Sequence, residues 1–289
     1  AYEYLGMTQS PCFQGGKFGC TSCHRMHSGD VKGQLEPAMK GDRACTQCHG
    51  DIAKNVSAHT HHRAESSGSR CLDCHMPRIT FGVLAIHRSH RVESPDVRRD
   101  VEAGRPNACT ACHADKTALW AAERMRDFWG PRYQAPSARP DRAPLDVPEA
   151  LASLHAGDPV ARAVLVDALG REESAVPRRE RGFMLANTLV ALGDGYGAVR
   201  HIARLSAIEL DRTLGARLAY GLRAFDTQAA VGKRNEVLTE LLAGLAANAK
   251  GRLAPPPAGT FVSNDYQLDL ERIRTLVELQ AANVISVGE

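Results

Sequence analysis

The sequence lacks any long apolar segment. A membrane-spanning helix needs about 18 consecutive apolar residues, and no hydrophobic run in the sequence approaches that length. No transmembrane segment is therefore predicted. The first 113 residues have few large apolar side chains for their length, which excludes an ordinary hydrophobic core there. Cysteine is absent after residue 112, although the chain of 289 residues holds 9 cysteines and 12 histidines. The N-terminal part therefore needs a source of stability other than apolar packing.

Four copies of Cys-x-x-Cys-His supply that source. They occupy residues 20–24, 45–49, 71–75 and 109–113. In this motif two thiols add to the vinyl groups of a c-type haem, and the histidine becomes the proximal iron ligand. The predicted attachment residues are Cys20, Cys23, Cys45, Cys48, Cys71, Cys74, Cys109 and Cys112, and the predicted proximal ligands are His24, His49, His75 and His113. We therefore predict four covalently bound haem c groups.

Other cysteine chemistries explain the pattern less completely. A zinc site would use four thiolates and would not need a histidine after every second cysteine. A disulfide framework would ignore the histidines, and a thioredoxin-like site would need a strand-helix unit that the sequence does not indicate. The ninth cysteine, Cys12, is interpreted as a small buried apolar residue with no assigned role.

The remaining histidines are candidates for the sixth iron ligand. The distal candidates are His27, His59, His61, His62 and His90, while His87 is an even choice between ligand and surface residue. Because His27 follows His24 by three residues, it cannot reach the far face of its own haem and would have to bind a neighbouring one. Methionine is the alternative sixth ligand, but Met26 and Met76 lie on the proximal side of their own motifs. We expect mainly bis-histidine, low-potential haems.

The close spacing of the motifs favours electron transfer. They begin at residues 20, 45, 71 and 109, so little protein surrounds each macrocycle and the haems must lie close together. The haem propionates offset the formal net charge of +3, so nucleic-acid binding is not predicted. Covalent haem is installed outside the cytoplasmic membrane, so we expect a periplasmic or extracellular protein. Because the sequence starts with alanine, we also expect that signal processing or a larger truncation has cut its N-terminus.

Several segments resemble known multihaem cytochromes. Cys71-Leu-Asp-Cys-His75-Met76-Pro77, His90-Arg-Val-Glu-Ser-Pro95 and Asn107-Ala-Cys109 resemble the haem-packing core of the cytochrome c nitrite reductase superfamily. That resemblance implies distal ligands at His90 and in the cluster at residues 59–62. In that reductase the catalytic haem is attached by Cys-x-x-Cys-Lys, which this sequence lacks.

A second resemblance covers nearly the whole chain. Ser10-Pro-Cys-Phe13, Cys23-His24-Arg-Met-His27-Ser28, His59-Thr-His-His62 and Ala198-Val-Arg-His-Ile-Ala203 are similar to multihaem cytochromes that carry C-terminal HEAT-type helical repeats. Members of that group often carry further haem motifs upstream, which this sequence does not contain.

The sequence of the C-terminal half predicts a series of short amphipathic helices. A helix over residues 117–129 closes the haem region, and four prolines mark residues 130–144 as a linker. Apolar residues then recur at helical spacing from Leu151 to Leu245, with joins at Gly, Asp or Pro, including Asp158-Pro159. A last helix is predicted over 265–279 and an extended tail over 283–289. His155 and His201 are interpreted as isolated surface histidines.

These patterns predict a mainly α protein with two domains. Residues 1–129 form a haem-packed tetrahaem cytochrome domain with little regular structure, residues 130–144 a Pro-rich linker, and residues 145–289 an α-helical HEAT-like repeat domain. An irregular helical bundle is the alternative for the last part.

The predicted function is electron transfer, with the helical domain docking other redox proteins or neighbouring copies. The absence of Cys-x-x-Cys-Lys favours a carrier over an enzyme. One alternative is reduction of nitrite or another small oxyanion at an open iron. Another is a subunit of a membrane complex or of a polymeric extracellular cytochrome filament.

Overall fold

The structure, a computed structural model, describes residues 2–16, 18–27, 30, 33–81 and 85–282. Within these ranges the chain is mainly helical, as predicted. Contacts between Cα atoms divide it into an N-terminal unit, residues 1–79 with 87–95, and a helical unit, residues 80–86 with 96–289. The predicted domain limits at 129 and 145 stay a prediction. Residues 96–144, including the fourth Cys-x-x-Cys-His motif, group with the helical unit.

The N-terminal unit consists of short helical turns joined by irregular segments. Its α-helices are α1 (Tyr2–Thr8), α2 (Pro11–Gln14), α3 (Arg43–Thr46), α4 (Gly50–Lys54), α5 (Val56–Thr60) and α6 (Cys71–His75), with 3₁₀ helices at Cys20–Ser22, Pro37–Met39 and Ser67–Ser69. Strands β1 (Arg78–Phe81) and β2 (Ala85–Arg88) pair after the third motif. Among the described apolar residues of this unit, Met7 alone is buried, at 5% exposure. The unit has no apolar core of its own in the described ranges, as its composition predicts.

The helical unit contains longer elements. They are α7 (Val97–Glu102), α8 (Ala108–Cys112), α9 (Ala118–Trp129), α10 (Glu149–Ala156), α11 (Pro159–Leu169), α12 (Gly182–Val190), α13 (Gly197–Leu214), α14 (Ala219–Ala224), α15 (Val231–Ala249) and α16 (Leu270–Glu278), with 3₁₀ helices at Arg178–Glu180, Ala191–Gly193 and Leu279–Ala282. None of the helices in the described ranges has the length and apolar character of a bilayer-crossing segment.

Side-chain caps set two of the predicted helix starts. Thr117 accepts a hydrogen bond from the Trp120 amide at the start of α9, and Asp158 accepts from two amides at the start of α11. Such caps satisfy backbone N–H groups that have no partner inside the helix. The predicted helix over 117–129 and the predicted break at Asp158-Pro159 are therefore confirmed.

One apolar core holds the helical unit together. Helices α10, α11, α12 and α13 contribute fully buried side chains such as Leu151, Leu165, Phe183 and Leu210. Helix α13 packs on both α11 and α12, and α16 returns to pack on α10. In a linear repeat array each repeat contacts only its neighbours, so the contact between α10 and α16 departs from that pattern. The HEAT-like arrangement stays a prediction.

The Pro-rich segment 130–144 has neither helix nor strand, as its prolines predict. It is not a free tether, however, because Tyr133 is 8% exposed and packs with Met125 and Ala122 of α9. This segment is part of the helical unit.

The predicted last helix is wrong in its first turn. Helix α16 starts at Leu270, where the Asp269 side chain accepts a hydrogen bond from the Arg272 amide. Tyr266 has a positive φ of 59°, which an α-helix does not allow, and its hydroxyl donates to the Ala254 carbonyl at 2.6 Å. The predicted extended tail, 283–289, lies outside the described residues.

The interpretation of His155 as a surface residue is wrong. His155 is 3% exposed, and its Nε2 lies 2.7 Å from Asn187 Oδ1. The Asn187 amide nitrogen donates to the carbonyls of Phe183 and Thr260, so its oxygen is left to accept from Nε2–H. His155 sits on the core-facing side of α10, where tertiary packing covers it. His201 is half-buried.

Burial of His155 predicts that acid destabilises the helical unit. Burial lowers the pKa of His155 from 6.5 to about 4, so the unfolded chain binds the extra proton. Above pH 6.5 the buried neutral His155 contributes up to about 3 kcal/mol to the free energy of unfolding. This contribution is lost as the pH falls towards 4. Denaturant unfolding, followed by far-ultraviolet circular dichroism at neutral pH and at about pH 4.5, should show a smaller acid loss for His155→Gln than for the wild type. The control His201→Gln should keep the wild-type pH dependence of stability. If His155→Gln and His201→Gln lost the same stability at acid pH, burial of His155 would not be the cause.

Candidate haem-attachment sites

Each Cys-x-x-Cys-His motif forms about one helical turn. The amides of His24, His49 and His113 donate to the carbonyls of Cys20, Cys45 and Cys109, at 2.9, 3.0 and 2.8 Å. In the third motif, helix α6 spans the motif from its first cysteine to its histidine. Residues three and four apart share one face of a helical turn. Both thiols and the imidazole of a motif can therefore reach the same macrocycle, and the residues present fit haem c.

Backbone carbonyls orient two of the predicted proximal histidines. His24 Nδ1 lies 2.7 Å from the Gly33 carbonyl, and His75 Nδ1 lies 2.9 Å from the Glu93 carbonyl. Such a hydrogen bond fixes the tautomer with hydrogen on Nδ1 and leaves Nε2 for a metal. Both rings are thus prepared for ligation through Nε2.

Two of these rings face a second histidine from a distant part of the chain. The ring centroids of His24 and His90 are 6.1 Å apart with an interplanar angle of 32°. Those of His59 and His75 are 6.0 Å apart with an angle of 20°. All four residues belong to the N-terminal unit. The structure thus brings together two of the predicted distal candidates, His59 and His90, with two predicted proximal ligands.

The environment disfavours the protonated form of both distal candidates. Burial lowers the pKa of His90, and the neighbouring His24 lowers it further. Burial also lowers the pKa of His59, with a further contribution from His75. A histidine must be neutral to donate a nitrogen lone pair to a metal, so these pKa shifts favour ligation.

The remaining distal candidates have varied surroundings. His27 and His61 are exposed, as His59 also is, and His62 is half-buried with its Nδ1 2.7 Å from the Thr60 carbonyl. His87 lies beside His90, with ring centroids 6.4 Å apart, and its Nδ1 is 3.9 Å from Glu3. The sequence-based choice among these four residues stays a prediction.

The first three motifs approach one another through their thiols. A hydrogen bond between Cys45 and Cys71 lowers the pKa of Cys45 and raises that of Cys71. Burial raises the pKa of Cys23, and the neighbouring Cys45 and Cys48 raise it further. The second motif therefore neighbours both the first and the third. The remaining cysteine, Cys12, is half-buried and not buried as expected.

Arg88, a residue that sequence reasoning missed, braces the third motif. Its guanidinium donates to the carbonyls of Leu72 and Met76, at 2.6 and 3.2 Å, and to the Asp73 carboxylate. It therefore satisfies carbonyls near the end of α6 and complements the helix dipole there. No local pattern could have identified it, because Arg88 reaches the motif from β2.

The fourth motif is held by buried groups of the helical unit. Asn107 caps α8 by accepting a hydrogen bond from the Thr110 amide, and Thr110 is fully buried. The Glu149 carboxyl accepts from Asn107 Nδ2 at 2.9 Å and from the Thr110 hydroxyl. The His113 ring lies 5.0 Å from the Trp120 ring, centroid to centroid. The capping asparagine is visible in the sequence, but Glu149 arrives from α10 and is not.

A loop after α11 holds the second cysteine of this motif. Cys112 Sγ lies 3.0 Å from the Glu173 carbonyl, and the Cys112 carbonyl accepts from the Ala175 amide at 3.0 Å. The buried guanidinium of Arg181 donates to several carbonyls of the same loop, including those of Ser174 and Val176, at 2.9 and 2.8 Å. Arg181 therefore fixes the loop that contacts Cys112.

Comparison with known proteins identifies one family match. The family described as Doubled CXXCH motif matches residues 11–54, which include the first two motifs. No curated protein and no solved structure matches the chain.

Removing the Arg88 brace should destabilise the third motif. In Arg88→Ala the carbonyls of Leu72 and Met76 and the Asp73 carboxylate lose a charged donor, and we expect a loss of about 2 kcal/mol in unfolding free energy. Arg88→Lys should recover only part of it, because an ammonium cannot reproduce the planar fork. Denaturant unfolding of the intact protein is the measurement. Arg63→Ala, which removes an exposed positive charge from the same unit, is the control, and an equal loss in that variant would argue against a specific brace.

Proposed function

We propose that this multihaem c-type cytochrome transfers electrons through four covalently bound haem c groups, two of them with bis-histidine ligation by His24 with His90 and by His75 with His59. The doubled motif indicates c-type haem attachment and a haem-binding electron-transfer cytochrome. The finer proposal rests on one observation, the two facing imidazole pairs.

The spacing of these pairs suits an iron between them. A metal–imidazole bond is about 2 Å long, so two rings ligating one iron from opposite sides have centroids roughly 6 Å apart. The measured separations are 6.1 Å for His24 with His90 and 6.0 Å for His59 with His75. His87 also lies 6.4 Å from His90, but their interplanar angle is 52°, against 32° and 20° for the two proposed pairs.

Bis-histidine ligation supports electron transfer over catalysis. Bound haem c supplies an iron that accepts and donates one electron, at a potential set by its ligands and surroundings. At these two sites His90 and His59 would close the sixth position, so no substrate could reach the iron. The Gly33 and Glu93 carbonyls, 2.7 and 2.9 Å from the proximal Nδ1 atoms, hold the rings in place, which favours ligand retention in both oxidation states.

Contacts between the motifs suggest an order for the route. Gln47 of the second motif donates to the Ser22 carbonyl of the first at 3.3 Å, and the Cys71 amide of the third motif donates to Asp42, which precedes the second, at 2.8 Å. Electrons would therefore pass between the first and third motifs by way of the second. For the second and fourth sites His49 and His113 remain the proximal ligands, and His27, His61 and His62 remain distal candidates.

The helical unit is proposed to dock another redox protein or a neighbouring copy. It exposes apolar side chains that its core does not use, such as Tyr220, Leu270 and Val231, at 90, 61 and 60% exposure. Exposed apolar residues are common at protein interfaces. A HEAT-like organisation of this unit, kinship with the nitrite reductase superfamily, and a periplasmic or extracellular location are parts of the same proposal.

Ligand substitution tests the assignment. Mass spectrometry of the intact protein should show four haems, and electron paramagnetic resonance of the oxidised protein should show low-spin signals from both bis-histidine irons. His90→Ala and His59→Ala should each convert one haem to a high-spin or exogenous-ligand form, because each removes one axial nitrogen.

The control is His201→Ala, which changes a half-buried histidine of the helical unit and should leave the spectrum unchanged. If neither His90→Ala nor His59→Ala altered the low-spin signals, the proposed ligation would be wrong. Fewer than four haems would remove the proposed four-haem route.

A further inference from the structure

We infer that Glu149 is a redox-linked proton site: its carboxyl is ionised while the iron at the fourth motif is ferric and takes up a proton when that iron is reduced. The inference rests on the proposed function, because it requires haem at residues 109–113. It adds proton uptake to electron transfer at this site.

Glu149 is buried and bonded directly to the motif. It is 6% exposed, and one carboxyl oxygen accepts hydrogen bonds from Asn107 Nδ2 and the Thr110 hydroxyl. Its other oxygen accepts from the Ser153 hydroxyl at 2.7 Å. Thr110 lies between the two attachment cysteines of the motif. The carboxyl is therefore coupled to the haem site through a single side chain.

Opposing forces leave this carboxyl able to exist in either form. Three donors and the N-terminus of α10 favour the carboxylate. Burial raises the pKa of Glu149, and Asp100 raises it further. The two hydroxyl donors can rotate, so they can satisfy a protonated carboxyl as well. A change of one charge nearby can then decide which form is present.

The surrounding charges are mostly paired with each other. Asp100 accepts from Arg105 Nη2 at 2.6 Å, and the Lys116 ammonium lies 2.7 Å from Asp115. Arg142, which lines the same pocket as Glu149, lies 4.0 Å from Asp141, and Arg99 bonds to Asp100. The ferric site, which carries one more positive charge than the ferrous site, is thus the variable charge near Glu149.

A small pocket borders Glu149. Its lining includes Glu149, Ser153, Gly104, Arg105 and Arg142. The side chains of Arg105 and Arg142 are 41 and 26% exposed, so the rim of the pocket meets solvent. The proposed entry of the proton is from solvent at this rim.

The step is balanced in charge and atoms. With haem bound at the fourth motif, a one-electron donor such as an electrode or a low-potential reductant would reduce the iron and remove one positive charge from the site. The Glu149 carboxylate would then take up one proton from bulk solvent and become a carboxylic acid. The net charge of the buried site is the same before and after, which avoids the cost of an uncompensated buried charge.

Infrared difference spectroscopy of the intact protein tests this directly. Reduction at an electrode should produce a new carbonyl band of a protonated carboxylic acid, which shifts in deuterated water. The band should be absent in Glu149→Gln, whose amide has nearly the same shape and does not titrate. Glu123→Gln, which changes an exposed carboxylate on α9, is the matched control and should keep the band.

A second variant covers the case in which Glu149→Gln loses its fourth haem. Thr110→Val removes the hydroxyl that joins the carboxyl to the motif, and the band should move in frequency because one donor is lost. No band in the wild type, or an unchanged band in Glu149→Gln with four haems attached, would overturn the inference. If all four haems are attached, the proposed four-haem route stands whether or not the infrared band behaves as expected. If the wild-type protein does not attach the fourth haem, the proposed four-haem route is itself wrong.

Discussion

Covalent attachment of haem is the interaction on which the N-terminal unit depends. Among its described apolar residues only Met7 is buried, so apolar packing within the chain cannot offset the entropy lost on folding. Covalently attached haem c replaces that packing, as metals do in other small domains. This explains why the unit consists of short helical turns: each turn only has to present two thiols and one imidazole.

The fourth motif lies in a different environment. Its turn is capped by Asn107, bonded to Glu149 and contacted by the loop that Arg181 fixes. These contacts come from α10 and from the segment after α11, both part of a helical unit with an extensive apolar core. Protein packing therefore holds this motif, and its polar groups are buried. Buried polar groups have stronger effects in such surroundings, which is why a single carboxyl there can influence both charge and proton binding.

Much of the local structure could be predicted from the sequence. The motif residues, the cap at Thr117, the break at Asp158-Pro159 and the helical content all follow from interactions within a few residues. The errors have non-local causes. His155 was placed at the surface because its partner Asn187 belongs to another helix. The last helix was started too early because Tyr266 bonds back to Ala254.

The sequence by itself determined the cofactor chemistry, since Cys-x-x-Cys-His specifies attachment within a single turn. It also supplied a set of distal candidates without choosing among them. Only the tertiary structure brought His90 to His24 and His59 to His75, and only it placed Arg88 and Glu149 against their motifs. The physical reason is distance along the chain. A covalent motif acts through adjacent residues, whereas axial pairing and buried hydrogen bonds depend on how separate segments fold against each other.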